Sequence, residues 1–126
     1  MGLCLLPRVK DFIEKRKAVN LLYKNCLKES ELEFPEIPDN IDYNYSYFPV
    51  IFPNENKLLK IKEALSKNNI NTRRYFYPSL NRLPYINSDV CAVSEDIASR
   101  MLCLPMYQQL DQSDVINISN IIIDNL

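Results

Sequence analysis

Apolar side chains recur at three- and four-residue steps in four parts of this chain, and each such part predicts a helix with one buried stripe. Over Leu5–Lys28, Val9, Phe12, Ile13, Val19, Leu22, Tyr23 and Cys26 share a face, while Lys10, Asp11, Lys15, Arg16 and Lys17 fall mostly opposite, as a solvated helix face. Pro7 is tolerated only in a first turn or at a kink. The apolar start before it, Gly2-Leu3-Cys4-Leu5-Leu6, carries no polar cap, as if continuing something begun earlier. A second helix follows Pro53, with Asn54 as its N-cap, Leu58, Ile61 and Leu65 as its stripe, and Lys67-Asn68-Asn69 as its end, an Asn taking the left-handed position. A third is marked by Val93, Ile97, Ala98 and Met101. The last runs from Asp111, with Asp114 in a capping-box-like pattern, through Val115, Ile118 and Ile122.

Between the helices lie β-prone runs. Leu32–Phe34 reads as a short strand, followed by a turn-rich connector at Pro35, Pro38, Asp39 and Asn40. Tyr43–Phe52 reads as the longest strand, apolar on both faces towards its end, with Pro49 requiring an edge or a bulge. Ile70–Arg74 leads into Arg73-Arg74-Tyr75-Phe76-Tyr77-Pro78-Ser79-Leu80-Asn81-Arg82-Leu83-Pro84-Tyr85, a strand running into an irregular loop. Leu102-Cys103-Leu104 is a brief strand that Pro105 stops. A strand, helix and strand with a short return make a split unit of the kind found in two-layer α/β domains. The Arg73–Tyr85 stretch admits two readings. Its aromatics are core and its arginines a wet rim, or it is a site wall for an anion, which guanidinium forks suit.

Composition narrows the chemistry. With 126 residues the chain is long enough for one domain, and 15 basic against 16 acidic residues leave a net charge of −1 and no global field for nucleic acid. There is no histidine, so no Ser-His-Asp or Cys-His system operates within the chain, and the single Gly2 excludes a glycine-rich phosphate loop. Cys4, Cys26, Cys91 and Cys103 are too scattered for a zinc site and read as buried, reduced thiols. No apolar run approaches the roughly 20 residues of a membrane span, and nothing resembles a secretion signal, which together point to a cytoplasmic protein.

The order of the pieces resembles the C-terminal part of the DegT-type, pyridoxal-phosphate-dependent sugar-nucleotide aminotransferases. Four segments carry the likeness: Met1–Arg8 with Ile13 and Arg16-Lys17; Ile70–Pro78; Ala92-Val93-Ser94-Glu95-Asp96 with Met101–Tyr107; and Leu110–Leu126. The Tyr75-Phe76-Tyr77-Pro78-Ser79-Leu80-Asn81 wording is closest to members that aminate dTDP-linked keto-deoxyhexoses. The resemblance implies an α+β fold: a two-layer small domain with a short, mainly antiparallel sheet and a long N-terminal helix, as in the C-terminal domain of fold-type I aminotransferases. Residues 1–28 are then the linking helix and 32–126 the α/β sandwich. It implies transamination of a keto-sugar for amino-sugar and surface-polysaccharide biosynthesis, with pyridoxal phosphate as the cofactor of full-length members. The cofactor lysine of such enzymes lies in a large N-terminal domain that these residues do not match. The chain by itself is therefore expected to hold no cofactor, to contain no catalytic residue and to be inactive. Its partners would be the large domain or a full-length homologue, with self-association through the first helix. By position, Phe76, Tyr77 and Asn81 would face the sugar nucleotide and Arg74 its anionic part. Many members carry histidine where Phe76 and Asn81 stand, which leaves packing to Phe76 and hydrogen bonding to Tyr77 and Asn81.

Two alternatives use the same residues. A small sheet bearing Arg73, Arg74, Tyr75, Phe76 and Tyr77 would make a base-stacking platform for single-stranded nucleic acid, which the acidic balance opposes. An exposed apolar first helix would make a pure association module.

Overall fold

A computed structural model describes residues 2–126. Helix formation begins earlier than the periodicity predicts. A four-residue α1 (Gly2–Leu5) passes through a 3₁₀ turn at Leu6–Arg8, where Pro7 sits, into the long α2 (Val9–Leu27). Proline's missing N–H is harmless at such a junction, so it changes the helix type locally without ending the rod.

The sheet is shorter than the apolar runs predict. β1 spans Phe48–Ile51 and β2 spans Met101–Leu104, paired antiparallel with Phe48 opposite Leu104 and Val50 opposite Leu102. The Tyr43–Phe52 strand is corrected at its start: Tyr45 has φ 51°, a left-handed conformation that no extended strand accommodates. Leu32–Phe34 contributes only a single bridge, Glu33 to Ile51, and the strand expected at Ile70–Arg74 only the bridge of Arg73 to Cys103. The order across the sheet is thus Glu33, β1, β2, Arg73. Both bridges and the β1–β2 pair are antiparallel, so the Arg73 segment runs parallel to β1 with β2 inserted between them. That is the split arrangement. Ile51 spends its backbone N–H and carbonyl on Glu33, which puts Pro49, two residues earlier, on the same outer edge. There the pairing goes no further and no N–H is missed.

α3 (Glu55–Lys67) and α5 (Gln112–Ile123) behave as their stripes predict. Asn54 is extended, and its side chain accepts from the Lys57 N–H at 3.0 Å, a full N-cap. The far end of α3 is a Schellman closure. Ile70 N–H reaches the Leu65 carbonyl and Asn69 N–H the Ser66 carbonyl, with Asn69 left-handed at φ 60°. Asp111, by contrast, makes no side-chain cap to α5, so the capping box does not form.

One face of the sheet (Phe48, Val50, Leu102 and Leu104) meets Tyr23 and Leu27 of α2, Leu58, Ile61 and Leu65 of α3, and Val115, Ile118 and Ile122 of α5. Tyr23 stacks on Phe48 with centroids 4.8 Å apart and donates its phenol to the Pro105 carbonyl. Burial pushes that phenol's pKa far up, first by desolvation, so it stays a neutral donor. Each fully buried Leu or Ile here contributes about 1.5–3 kcal/mol. The leading helix is different: Leu3, Leu5, Leu6, Val9 and Leu21 are exposed, Leu3 at 86%. The cysteines also depart from expectation. All four are free, but only Cys103 is buried, while Cys4 and Cys91 are exposed.

Candidate functional site

The site is the loop that leaves the Arg73 bridge and returns through α4 (Ala92–Arg100). Its aromatic and cationic side chains reverse the reading in which the aromatics are core and the arginines a wet rim. Phe76 and Tyr77 stand out at 65% and 50% exposure, and Tyr85 is more exposed still. The buried member is an arginine: the Arg74 side chain is only 12% accessible.

Arg74 is a clamp. Its Nη2 donates to Glu55 Oε1 at 2.8 Å and to the Ser99 carbonyl at 2.6 Å, joining the start of α3 to the end of α4. Its guanidinium carbon lies 3.6 Å from the centre of the Tyr77 ring. A planar cation on the face of an aromatic ring is attracted by the ring's quadrupole. Tyr77 is therefore held from beneath while its edge faces solvent. Arg73, one residue earlier, points the other way. It is exposed, donates to the Tyr75 hydroxyl at 3.0 Å, and Tyr75 meets Tyr47 and Phe76 edge-on at 5.4 and 5.5 Å.

A second anchor holds the far side of the loop. Glu95 of α4 accepts from Asn81 Nδ2 at 2.7 Å, from the Cys91 backbone N–H at 3.0 Å and from Arg82 Nη2 at 2.8 Å. Those contacts, the Arg82 bond first, hold its carboxyl below the usual carboxylate range. Ser79, buried, shares a 2.8 Å hydrogen bond with Ser94. Between the two anchors lies an open cleft of about 220 Å³ lined by Tyr75, Phe76, Ser79, Leu80, Ser94, Ile97, Ala98 and Met101. Among the described residues, no charged side chain lines it.

The four residues singled out from the sequence thus have separate places. Phe76 lines the cleft, and Tyr77 is exposed beside it. Asn81 spends its amide N–H on Glu95 and the Asp89 carbonyl. Arg74 is turned inward onto Glu55. Glu55 and Ser99 could not be picked out of the sequence, because their partner Arg74 lies 19 and 25 residues away. The one local signal was Glu95, four residues past the Cys91 N–H that it caps. The nucleic-acid platform is also corrected at its premise. Only Arg73 joins the sheet, and the chain turns away from it by Tyr75, so the aromatics share no flat strand surface.

The cleft beside Phe76 does not fit pyridoxal phosphate. A phosphate group needs convergent N–H or cationic donors, and among the described residues no lysine or arginine lines the cleft. The nearby Arg74 and Arg82 are committed to Glu55 and Glu95. Nor does any of the described residues form a cluster able to hold a metal ion.

A long first helix, a split two-strand sheet under three helices and an aromatic loop clamped beside the sheet define an α+β small domain of the aminotransferase kind. The model of the DegT/DnrJ/EryC1/StrS aminotransferase family matches residues 1–123, and the chain belongs to that family. It is 32% identical over 135 aligned positions to a dTDP-4-amino-4,6-dideoxy-D-glucose transaminase of Escherichia coli, an alignment covering 99% of this chain and 36% of that protein. It is 34% identical to the protein of the same description from Shigella dysenteriae, over 91% of this chain and 33% of the other. Among solved structures, the aminotransferase TlmJ from Streptoalloteichus hindustanus superposes with a TM-score of 0.90 at 22% identity, over 98% of this chain and 34% of that one. DesI, solved with its TDP-sugar product, gives 0.84 at 22% identity, over 96% and 33%. The chain therefore spans about a third of the length of the relatives it matches. The family works with pyridoxal phosphate, whose ring supplies the electron sink for transamination.

Proposed function

We propose that this chain is the substrate-facing small domain of a sugar-nucleotide aminotransferase acting on a dTDP-linked keto-deoxyhexose. The observation that carries the reading is the family match over 1–123 together with the loop at Tyr75–Asn81, whose exposed Phe76 and Tyr77 are held rigid from behind. Rigid presentation of a few exposed aromatic and polar groups is what a binding wall requires. Phe76 packs against the sugar nucleotide and the Tyr77 hydroxyl hydrogen-bonds it. Arg74 and Asn81 position the loop through Glu55 and Glu95. The curated relatives, dTDP-4-amino-4,6-dideoxy-D-glucose transaminases by name, support the choice of substrate class. A cytoplasmic place in amino-sugar synthesis for surface polysaccharide goes with that reading.

With no cation on the cleft beside Phe76 to take a cofactor phosphate, and spanning about a third of its relatives' length, this chain does not transaminate by itself. Its partner is a lysine-bearing large domain or a full-length homologue, and the exposed Leu3, Leu5, Leu6 and Val9 are the surface for that partner or for a second copy in a dimer. Among the described residues, no helix is long and apolar enough to cross a membrane.

The test is spectroscopic and direct. Pyridoxal phosphate added to the purified chain gives no visible absorbance band that an amino acid reverses. Such a band would end the proposal of inactivity. For the substrate, titration of a dTDP-linked keto-deoxyhexose followed by NMR shifts resonances of Phe76 and Tyr77. Saturable shifts confined to other elements would refute the loop's role.

A further inference from the structure

A second cleft, larger than the one beside Phe76, lies where the end of α3 meets the start of α5. We propose that it is a binding site for a neutral or amino-bearing pyranose sugar. The inference rests on this cleft alone and not on the aminotransferase reading. It measures about 370 Å³, and none of its lining residues lines the cleft beside Phe76. That volume is at the small end of the roughly 300–1,000 Å³ range of small-ligand pockets.

Three separate pieces of backbone bring its polar groups together. The Schellman closure of α3 fixes Asn69 in a left-handed conformation, and Asn71 follows on the way to the Arg73 bridge. A turn closed by the Leu110 N–H on the Tyr107 carbonyl sets Tyr107 at the rim. Asp114 and Asn117 are three apart on α5, hence on one helix face. All five line the cleft, and among the described residues none of the five side chains makes a hydrogen bond within the protein. Ile70, Pro105, Leu110 and Ile118 supply apolar wall between them.

That combination selects a ligand class. Amides offer donors and acceptors at fixed spacing, and a carboxylate accepts from two hydroxyls at once. A half-exposed tyrosine ring gives a flat apolar face with a polar edge. A pyranose presents vicinal hydroxyls around its rim and C–H groups on its faces, so it satisfies both kinds of wall together. Among the described residues no lysine or arginine lines the cleft, and Asp114 does, so phosphorylated or carboxylated sugars are disfavoured and an ammonium substituent is favoured.

The experiment is an NMR titration of the whole 126-residue chain at pH 7 with methyl α-glucopyranoside, glucosamine and glucose 1-phosphate. Saturable shifts are expected at Asn69, Asn71, Tyr107, Asp114 and Asn117 with the first two. A Kd of about 1–10 mM is what a ligand of about 12 non-hydrogen atoms attains. Glucosamine should bind at least about threefold more tightly than the neutral glycoside, and the phosphate at least about tenfold more weakly. Asp114→Asn should erase the glucosamine advantage while keeping glycoside binding. Tyr107→Ala should weaken both sugars about tenfold, with dispersed spectra confirming that each variant is folded. If a variant fails to fold, the shift map and the charge order on the unsubstituted chain decide. Linear shifts without saturation to about 100 mM, a map centred on Phe76, the phosphate binding tightest, or a dipeptide occupying the cleft more tightly than the sugars would each overturn the proposal.

Discussion

Arg74 offers the sharpest test of how the loop is built. Arg74→Met keeps most of the aliphatic stem and removes the guanidinium. The loss comprises two charge-assisted hydrogen bonds, to Glu55 and Ser99, and the stack on Tyr77. Bonds of that kind are worth about 1.5–3 kcal/mol each, and a partly buried cation on a ring contributes about 0.5–2 kcal/mol. The three share one group and do not add. Glu55, 38% exposed, also regains water once its partner is gone. A net destabilisation of about 2–4 kcal/mol remains, or a fall in Tm of roughly 10 °C for a domain of this size. Denaturant unfolding measures it, with amide exchange across 75–81 reporting the released loop. Arg74→Lys should recover only part of the loss, because an ammonium has neither the planar fork nor the flat face that stacks. A double-mutant cycle with Glu55→Gln should show coupling of about 1–3 kcal/mol. If Arg74→Met unfolds within about 0.5 kcal/mol of the unsubstituted chain, Arg74 is a surface residue free to meet a ligand, and the clamp is wrong.

Glu95 makes the loop's hold on α4 sensitive to acid. Its folded pKa lies below the ordinary 4.5, so the anchoring is complete above pH 4.5 and is lost as pH falls through the folded value. Protease nicking within 80–91 should be flat from pH 8 to about 5 and rise below about 4. Glu95→Ala should give the acid pattern at pH 7, and equal nicking of both proteins at pH 7 would refute the three-way anchor. The thiols should divide by burial. Cys4 and Cys91 are exposed, whereas Cys103 is buried and its thiol is pushed up by desolvation, leaving less thiolate. An aromatic disulfide reagent should label the first two within minutes and Cys103 only on unfolding, with mass spectrometry assigning the sites. Equal rates would contradict the packing against β2. Ile61→Ala, in the fully buried stripe of α3, should cost about 2–5 kcal/mol in denaturant unfolding. A loss under about 1 kcal/mol would place that stripe at the surface.

Much of this architecture was written in local pattern. The stripe Leu58, Ile61, Leu65, the Asn54 cap and the left-handed Asn69 are all decided within one or two helical turns, and all three appear in the fold. The strands were overestimated because β-prone composition at Tyr43–Tyr47 and Ile70–Tyr77 records only what a residue tolerates, and pairing needs a neighbour along its whole length. Single bridges at Glu33 and Arg73 are all the sheet provides. Arg74 was misplaced for a related reason: charge predicts exposure until a carboxylate arrives to pair with it.

By itself, then, the sequence determined where the helices form, that histidine and glycine-loop chemistry are absent, and which family's order of segments this chain follows. Only the tertiary structure decided which of two adjacent arginines turns inward, and that Glu55 and Glu95 hold the loop. Helical periodicity is a property of neighbours a few residues apart, whereas the Glu55–Arg74 bond joins groups 19 positions apart that meet only after the sheet and α3 have packed.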